Sequence, residues 1–141
     1  MQPRGIRNNN PLNIRIGNKW KGEVANPTDK DFEQFVSMDY GLRAAFLLLR
    51  RYINHYHVNT IWEIISRWAP ARENNTAAYV RRVCDRLNVG ALIPISFSDR
   101  QTMVALVCAM AEVENGQPID EELVNQAYMK LIWELEETKE T

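Results

Sequence analysis

The stretch Met103–Gly116, MVALVCAMAEVENG, decides how the rest of this chain is read. Its first nine residues, Met103 to Ala111, are all apolar. A helix apolar on every face must be wrapped by other elements, which predicts the central helix of a mainly α fold. It is far too short to span a bilayer. The run then meets Glu112 and Glu114 and stops at Asn115-Gly116, a pair suited to the left-handed turn that ends helices. A carboxylate at that end opposes the partial negative charge of a helix C-terminus, at a cost of about 0.3–1 kcal/mol. The same field, combined with partial burial, raises a carboxyl pKa, as a general acid requires.

Outward from this helix the chain reads as further helices. Ser98-x-x-Gln101 is a capping-box pattern that would start the central helix. After Gly116-Gln117-Pro118, Asp120 would cap a last helix, Glu121–Glu136, with Leu123, Val124, Ala127, Tyr128, Leu131 and Leu135 as its apolar stripe. Upstream, Asn74-Asn75-Thr76 opens a helix over Ala77–Leu87. Thr60-x-x-Glu63 opens the short IWEIISRW, which must end before Pro70 because a proline disfavours helix in the residue before it. Asp39–His55 reads as one long helix with Leu42, Ala45, Phe46, Leu49, Tyr52 and Ile53 inward.

The first third differs. RGIRNNNPL at 4–12 is turn-rich, with three asparagines before a proline. Gly17-Asn18, flanked by Asn13–Ile16 and Lys19–Lys21, suits a type II′ hairpin, and Phe32–Val36 would add a third short strand. The expectation is one domain over 1–141, with a β or loop lobe at 1–38 and a helical lobe at 39–138.

Composition narrows the function. With 141 residues, 45% hydrophobic, 25% charged and a net charge of −1, the chain is an ordinary globular domain. That balance gives no global support for a nucleic-acid partner. Cys84 and Cys108 lie in apolar helical patterns and read as buried small hydrophobes; His55 and His57 lack partners at ligand spacing. No metal and no cofactor is expected. The N-terminus shows no apolar signal segment, so a target outside the cytoplasm would need another delivery route. No Walker loop, dinucleotide glycine fingerprint or nucleophile elbow is present, which leaves carboxylates and asparagines as the candidate chemistry.

NNNPLNI is the oddest string. Asx turns in a loop explain it plainly; a polar lining that hydrogen-bonds a sugar explains it functionally. Trp20, beside the expected turn, is the aromatic suited to stacking on such a ligand. A second polar cluster, Arg67-Trp68-Ala69-Pro70 with Glu73-Asn74-Asn75-Thr76, has as its plain alternative a helix end followed by a cap.

The run RGIRNNNPLNIR, Trp20-x-Gly22, Phe32-x-x-Phe35, Gly41-x-Arg43-Ala44-Ala45 and ISRWAP-x-x-ENNT-x-x-Y resembles a family of small phage and prophage proteins. These are often labelled virion structural proteins and are related to the lysozyme-like superfamily of peptidoglycan-cleaving enzymes. The chain is also similar to bacterial glucosaminidases, in which the catalytic helix precedes an asparagine-rich segment and a Trp-x-Gly hairpin. Here that helix comes last, the order a circular permutation would give. The resemblance implies a lysozyme-like fold and cleavage of the glycan strand of peptidoglycan, by a muramidase, glucosaminidase or lytic transglycosylase. It puts Glu114 at the catalytic-acid position, with Glu112 as its rival. Glu23 is first choice for a second carboxylate, ahead of Asp31, Glu33 and Glu73. Asn9, Asn10, Asn13, Trp20, Glu73 and Asn75 would line the cleft. It equally allows a non-catalytic virion or prophage module that binds glycan or other virion proteins.

Overall fold

A computed structural model describes residues 1–70 and 75–140, with side chains through 138. It is mainly helical. The elements are α1 (Arg4–Arg7), α2 (Met38–Arg50) continued by a π-helical turn (Arg51–His55), α3 (Ile61–Trp68), α4 (Thr76–Leu87), α5 (Arg100–Asn115) and α6 (Glu121–Glu140). No described helix is long and apolar enough to cross a membrane.

α5 is the central helix that its sequence requires. Every residue from Met103 to Ala111 except Ala105 is buried, wrapped by α4 and α6, with α2 packed on α6. The partner helices present the stripes read from periodicity. Leu42, Ala45, Phe46, Leu49 and Ile53 are buried on the α2 segment, and Val124, Ala127, Tyr128 and Leu131 on α6. Phe46 meets Tyr128 edge to face, with ring centroids 5.3 Å apart. Thr60 caps α3 as its box predicts: its hydroxyl accepts from the Glu63 amide at 3.2 Å and donates to the Glu63 carboxylate at 3.0 Å. The cap of α5 is Asp99, one residue beyond the expected Ser98, and it accepts from the Thr102 amide at 3.2 Å. Asp39–His55 is not one uniform α-helix, because its last turn widens to π geometry, with the Tyr56 amide bonded to the Arg51 carbonyl.

The expected hairpin lobe is corrected. Among the described residues there is no strand, only two isolated bridges, Arg15 with Phe32 and Glu23 with Phe35. The segments on either side of Gly17-Asn18 do not pair with each other. Asn13–Ile16 pairs instead with residues 31–33, and residues 22–24, just beyond Lys19–Lys21, pair with 34–36: the Ile16 amide reaches the Asp31 carbonyl, and the Val24 amide reaches that of Gln34. The turn residues were compatible with a tight hairpin, but the apolar partners of this segment lie elsewhere. Leu12, Ile14 and Trp20 are buried in the main core.

What shapes residues 1–37 is polar. Asn10, fully buried, donates to the carbonyls of Ile14 and Glu33, both at 3.0 Å, and accepts from the Ile14 amide at 2.9 Å. Arg4 makes a two-pronged contact with Asp29, both bonds 2.7 Å, while Asn8 adds a third donor at 2.9 Å. These donors, Arg4 foremost, hold the Asp29 carboxyl well below the usual carboxylate range. Two glycines let this arm lie against the helices. A Cβ at Gly41 on α2 would run into the Asn9 carbonyl, and one at Gly5 would meet Asn115 Oδ1 at 2.5 Å and Asn13 Oδ1 at 2.8 Å.

Candidate functional site

The C-terminal turn of α5 carries Glu114 one turn beyond Met110 and two beyond Val107, both fully buried, so its carboxyl emerges at the rim of the core. The polar arm from the other end of the chain crosses there. Three successive residues of it are fastened. The Pro11 carbonyl accepts from Asn115 Nδ2 at 2.8 Å, and the Leu12 carbonyl from Trp68 Nε1 at 3.0 Å. Asn13 Nδ2 donates to Glu114 Oε1 at 2.9 Å. Asn13 has a φ of 52°, a left-handed conformation that asparagine tolerates better than most residues, and this turn aims its amide at the helix end.

The other carboxyl oxygen of Glu114 accepts from the buried Tyr79 hydroxyl of α4 at 3.0 Å. That hydroxyl also lies 3.4 Å from the Met110 carbonyl. The two contacts suit both protonation states. With Glu114 ionised, Tyr79 donates to it; with Glu114 protonated, the acid donates to Tyr79, whose own hydrogen turns to Met110. Burial raises the Glu114 pKa above its ordinary value, against the opposing pull of Asn13, Tyr79 and the positive charge of Arg15. Burial is the largest of these effects, so the neutral acid persists to higher pH than for a solvated glutamate. Tyr79 is likewise pushed well above its usual range by burial and by the neighbouring carboxylate.

A groove of about 540 Å³ opens beside this pair, with Asn13, Arg15, Asn18, Tyr52, Arg67 and Trp68 among its walls. Asn13 belongs to both: its amide holds Glu114, and its residue forms part of the groove wall. Tyr52 and Trp68 meet edge to face at 5.7 Å, and Arg67 lies over the Tyr52 ring at 5.8 Å.

The remaining expected site residues are placed otherwise. Asn10 is a buried brace, and Asn9 donates to the Phe35 carbonyl at 3.0 Å; neither lines the groove. Trp20 is buried and lines a different pocket. Asn75 is the exposed cap of α4, accepting from the Ala78 amide at 3.2 Å, as the plain alternative had it. Glu73 lies outside the described residues. Glu112, the rival acid, pairs with Arg86 at 3.1 Å, both side chains well exposed. Glu23 faces Glu33 instead of Glu114: desolvation, reinforced by the hydrogen bond and the negative charge of Glu23, pushes the buried Glu33 up to about 7.

Two partners went unread in the sequence. Tyr79 falls on the buried face of α4, where its ring packs in the core; nothing in the spacing announces that its hydroxyl reaches Glu114. Asn115 was read as a helix stop, yet its side chain is buried and spans from Ala111 to Pro11. Among the described residues, no group of three or more His, Cys, Asp or Glu side chains is arranged to hold a metal ion.

None of the known protein-family models matches the sequence. The chain is 38% identical over 117 residues to Protein P5 of Pseudoalteromonas phage PM2, an alignment covering 80% of this chain and 71% of that protein. With its asparagine arm clasped to a central helix, this chain belongs to the phage protein family of which Protein P5 is a member.

Proposed function

We propose that this phage protein cleaves the glycan strand of peptidoglycan, on a circularly permuted lysozyme-like helical core, with Glu114 as the general acid. The observation that carries the reading is the half-buried Glu114 at a helix C-terminus, held by Asn13 from the opposite end of the chain. In the reaction, neutral Glu114 passes its proton to the glycosidic oxygen as the bond from the anomeric carbon to that oxygen breaks. Tyr79 then donates to the carboxylate that forms. Asn13, on the wall of the groove, supplies a polar contact to the sugar beside the acid. Glu23 is spent on Glu33, so the reading favours lytic transglycosylation. In that reaction the sugar's own hydroxyl attacks the anomeric carbon and returns its proton to the Glu114 carboxylate, so a second carboxylate is dispensable.

A second reading rests on a different observation. Both Glu114 oxygens already have protein partners, and Asn13 stands between the acid and the groove. A non-catalytic virion module that binds glycan or other virion proteins would keep this clasp as a structural tie.

Turbidity clearing of outer-membrane-stripped cell walls separates the two. The catalytic reading expects Glu114→Gln to lose about 10²–10⁴-fold in rate, and wild-type activity to decline as pH rises through the elevated Glu114 pKa. Equal clearing by both proteins removes Glu114 from the mechanism; no clearing by either supports the non-catalytic module.

A further inference from the structure

We infer that the pocket beside the π-helical turn is a binding site for a phosphate group. It is a cavity of about 520 Å³ bordered by Trp20, Arg50, Arg51, Asn54, His55 and Tyr56. Among the described residues no carboxylate lines it, and no ion pair engages Arg50 or Arg51. That is unusual in a chain whose acids and bases nearly balance at 18 to 17. Arg50 and Arg51 both border the cavity, so it carries positive charge that no lining carboxylate balances.

The second observation is independent of charge. Trp20 is buried with Arg51 over its ring at 5.8 Å, and its Nε1 is buried without a hydrogen-bond partner. A buried N–H without an acceptor is costly, and a ligand oxygen would relieve it. The residues bordering the cavity offer two guanidinium forks and the Asn54 amide, and Trp20, which borders it too, carries the buried unpartnered indole N–H. Together they exceed what the two oxygens of a carboxylate can accept, and they match the three or four oxygens of a phosphate.

The site lies at a helix C-terminus, whose partial negative charge opposes an anion, so the guanidinium groups must outweigh it. Two carbonyls at this end are occupied, that of Arg51 by the Tyr56 amide at 3.1 Å and that of Tyr52 by the Val58 amide at 2.8 Å. The π turn itself is a geometry that recurs at functional sites. None of these lining residues is shared with the groove beside Glu114, so the inference stands apart from glycan cleavage.

The test follows the Trp20 indole N–H resonance of the full-length protein at constant ionic strength, assigned with Trp20→Phe. Inorganic phosphate is one titrant, glycerophosphoglycerol a phosphodiester arm, and acetate the carboxylate control. A saturable shift with phosphate or the diester at a Kd of about 1 mM or tighter, and none with acetate, is expected. Saturation by inorganic phosphate alone assigns a free or terminal phosphate; equal or tighter binding of glycerophosphoglycerol assigns a phosphodiester such as a lipid headgroup. Asn54 is exposed, so Asn54→Asp should fold normally while weakening binding at least tenfold, as should Arg50→Gln combined with Arg51→Gln. A shift that never saturates, that acetate reproduces, or that Asn54→Asp leaves unchanged overturns the site.

Discussion

The helical lobe and the asparagine arm occupy the same small protein but are held by different forces. Around α5 the interior is apolar: Leu106, Met103 and Met110 have no exposed surface, and their burial stabilises at roughly 25 cal/mol per Å² of apolar area. Residues 4–36 contribute only a few apolar anchors, chiefly Leu12, Ile14, Trp20 and Phe35, and are otherwise shaped by side chains bonded to backbone. The difference matters because an apolar interior tolerates repacking, whereas a polar brace has a fixed number of donors and acceptors and fails when one is removed.

The sharpest contrast is between Leu106→Ala and Asn10→Ala, two fully buried positions. Leu106→Ala removes methyl groups from the centre of α5 and should cost about 2–5 kcal/mol by chemical denaturation, the largest effect expected here. Asn10→Ala removes little apolar surface but strands the Glu33 carbonyl and the Ile14 amide, while the Ile14 carbonyl keeps the Glu33 amide, and should cost about 2–4 kcal/mol. The discriminating variant is Asn10→Leu. If the arm is held by polar bonds, leucine at 10 should be no better than alanine. Recovery of most of the loss by leucine would show that the arm is an apolar element after all.

Gly5→Ala probes the seam between the two regions and should come next, at about 1–3 kcal/mol, because its Cβ would press on two side-chain oxygens and the Asn10 carbonyl. The oxygens are Asn115 Oδ1 and Asn13 Oδ1, both buried without a hydrogen-bond partner and both turned towards the Gly5 backbone. Displacing Asn13 should also loosen Glu114, so Gly5→Ala is expected to alter the Glu114 titration followed by NMR. An unchanged titration would mean that the arm and the acid are mechanically independent.

The same contrast explains what could be read in the sequence. The helices were legible because apolar spacing states directly which face is buried; the stripes of α2 and α6 and the all-apolar run of α5 leave little choice. Their caps were legible to within a residue, Asp99 displacing Ser98, since each side chain is equally able to accept an amide. The arm was not legible. Asn9, Asn10 and Asn13 are chemically identical, and only the three-dimensional path of the chain makes one a brace for Phe35, one a buried hub and one the partner of Glu114. Proximity of Glu114 to the 8–13 segment was expected from the resemblance alone, because no local rule couples residues 101 positions apart. Trp20 was misplaced for a related reason. Its sequence neighbours are turn residues, and its burial is decided by elements remote in the chain.

The smallest effect expected tests the lobe through pH. Glu33 is buried and, with Glu23 beside it, has a pKa pushed up to about 7 from an ordinary 4.5. Between those two values the folded protein holds a proton that the unfolded chain has released, so stability falls as pH rises through this window and levels off above it. The total loss should be about 1–3 kcal/mol. Glu33→Gln keeps the size and one donor but removes the titration, so the variant should lose less stability than wild type between pH 4.5 and 7.5, read as a smaller drop in Tm. Glu23→Gln should give an intermediate curve, because it removes the neighbouring negative charge and leaves the desolvation. The central helix offers an internal control: Leu106→Ala should lower Tm by a similar amount at both ends of the range. If Glu33→Gln and Leu106→Ala shift the curve in parallel, the polar lobe does not carry the pH dependence, and the division between the two regions fails at this point.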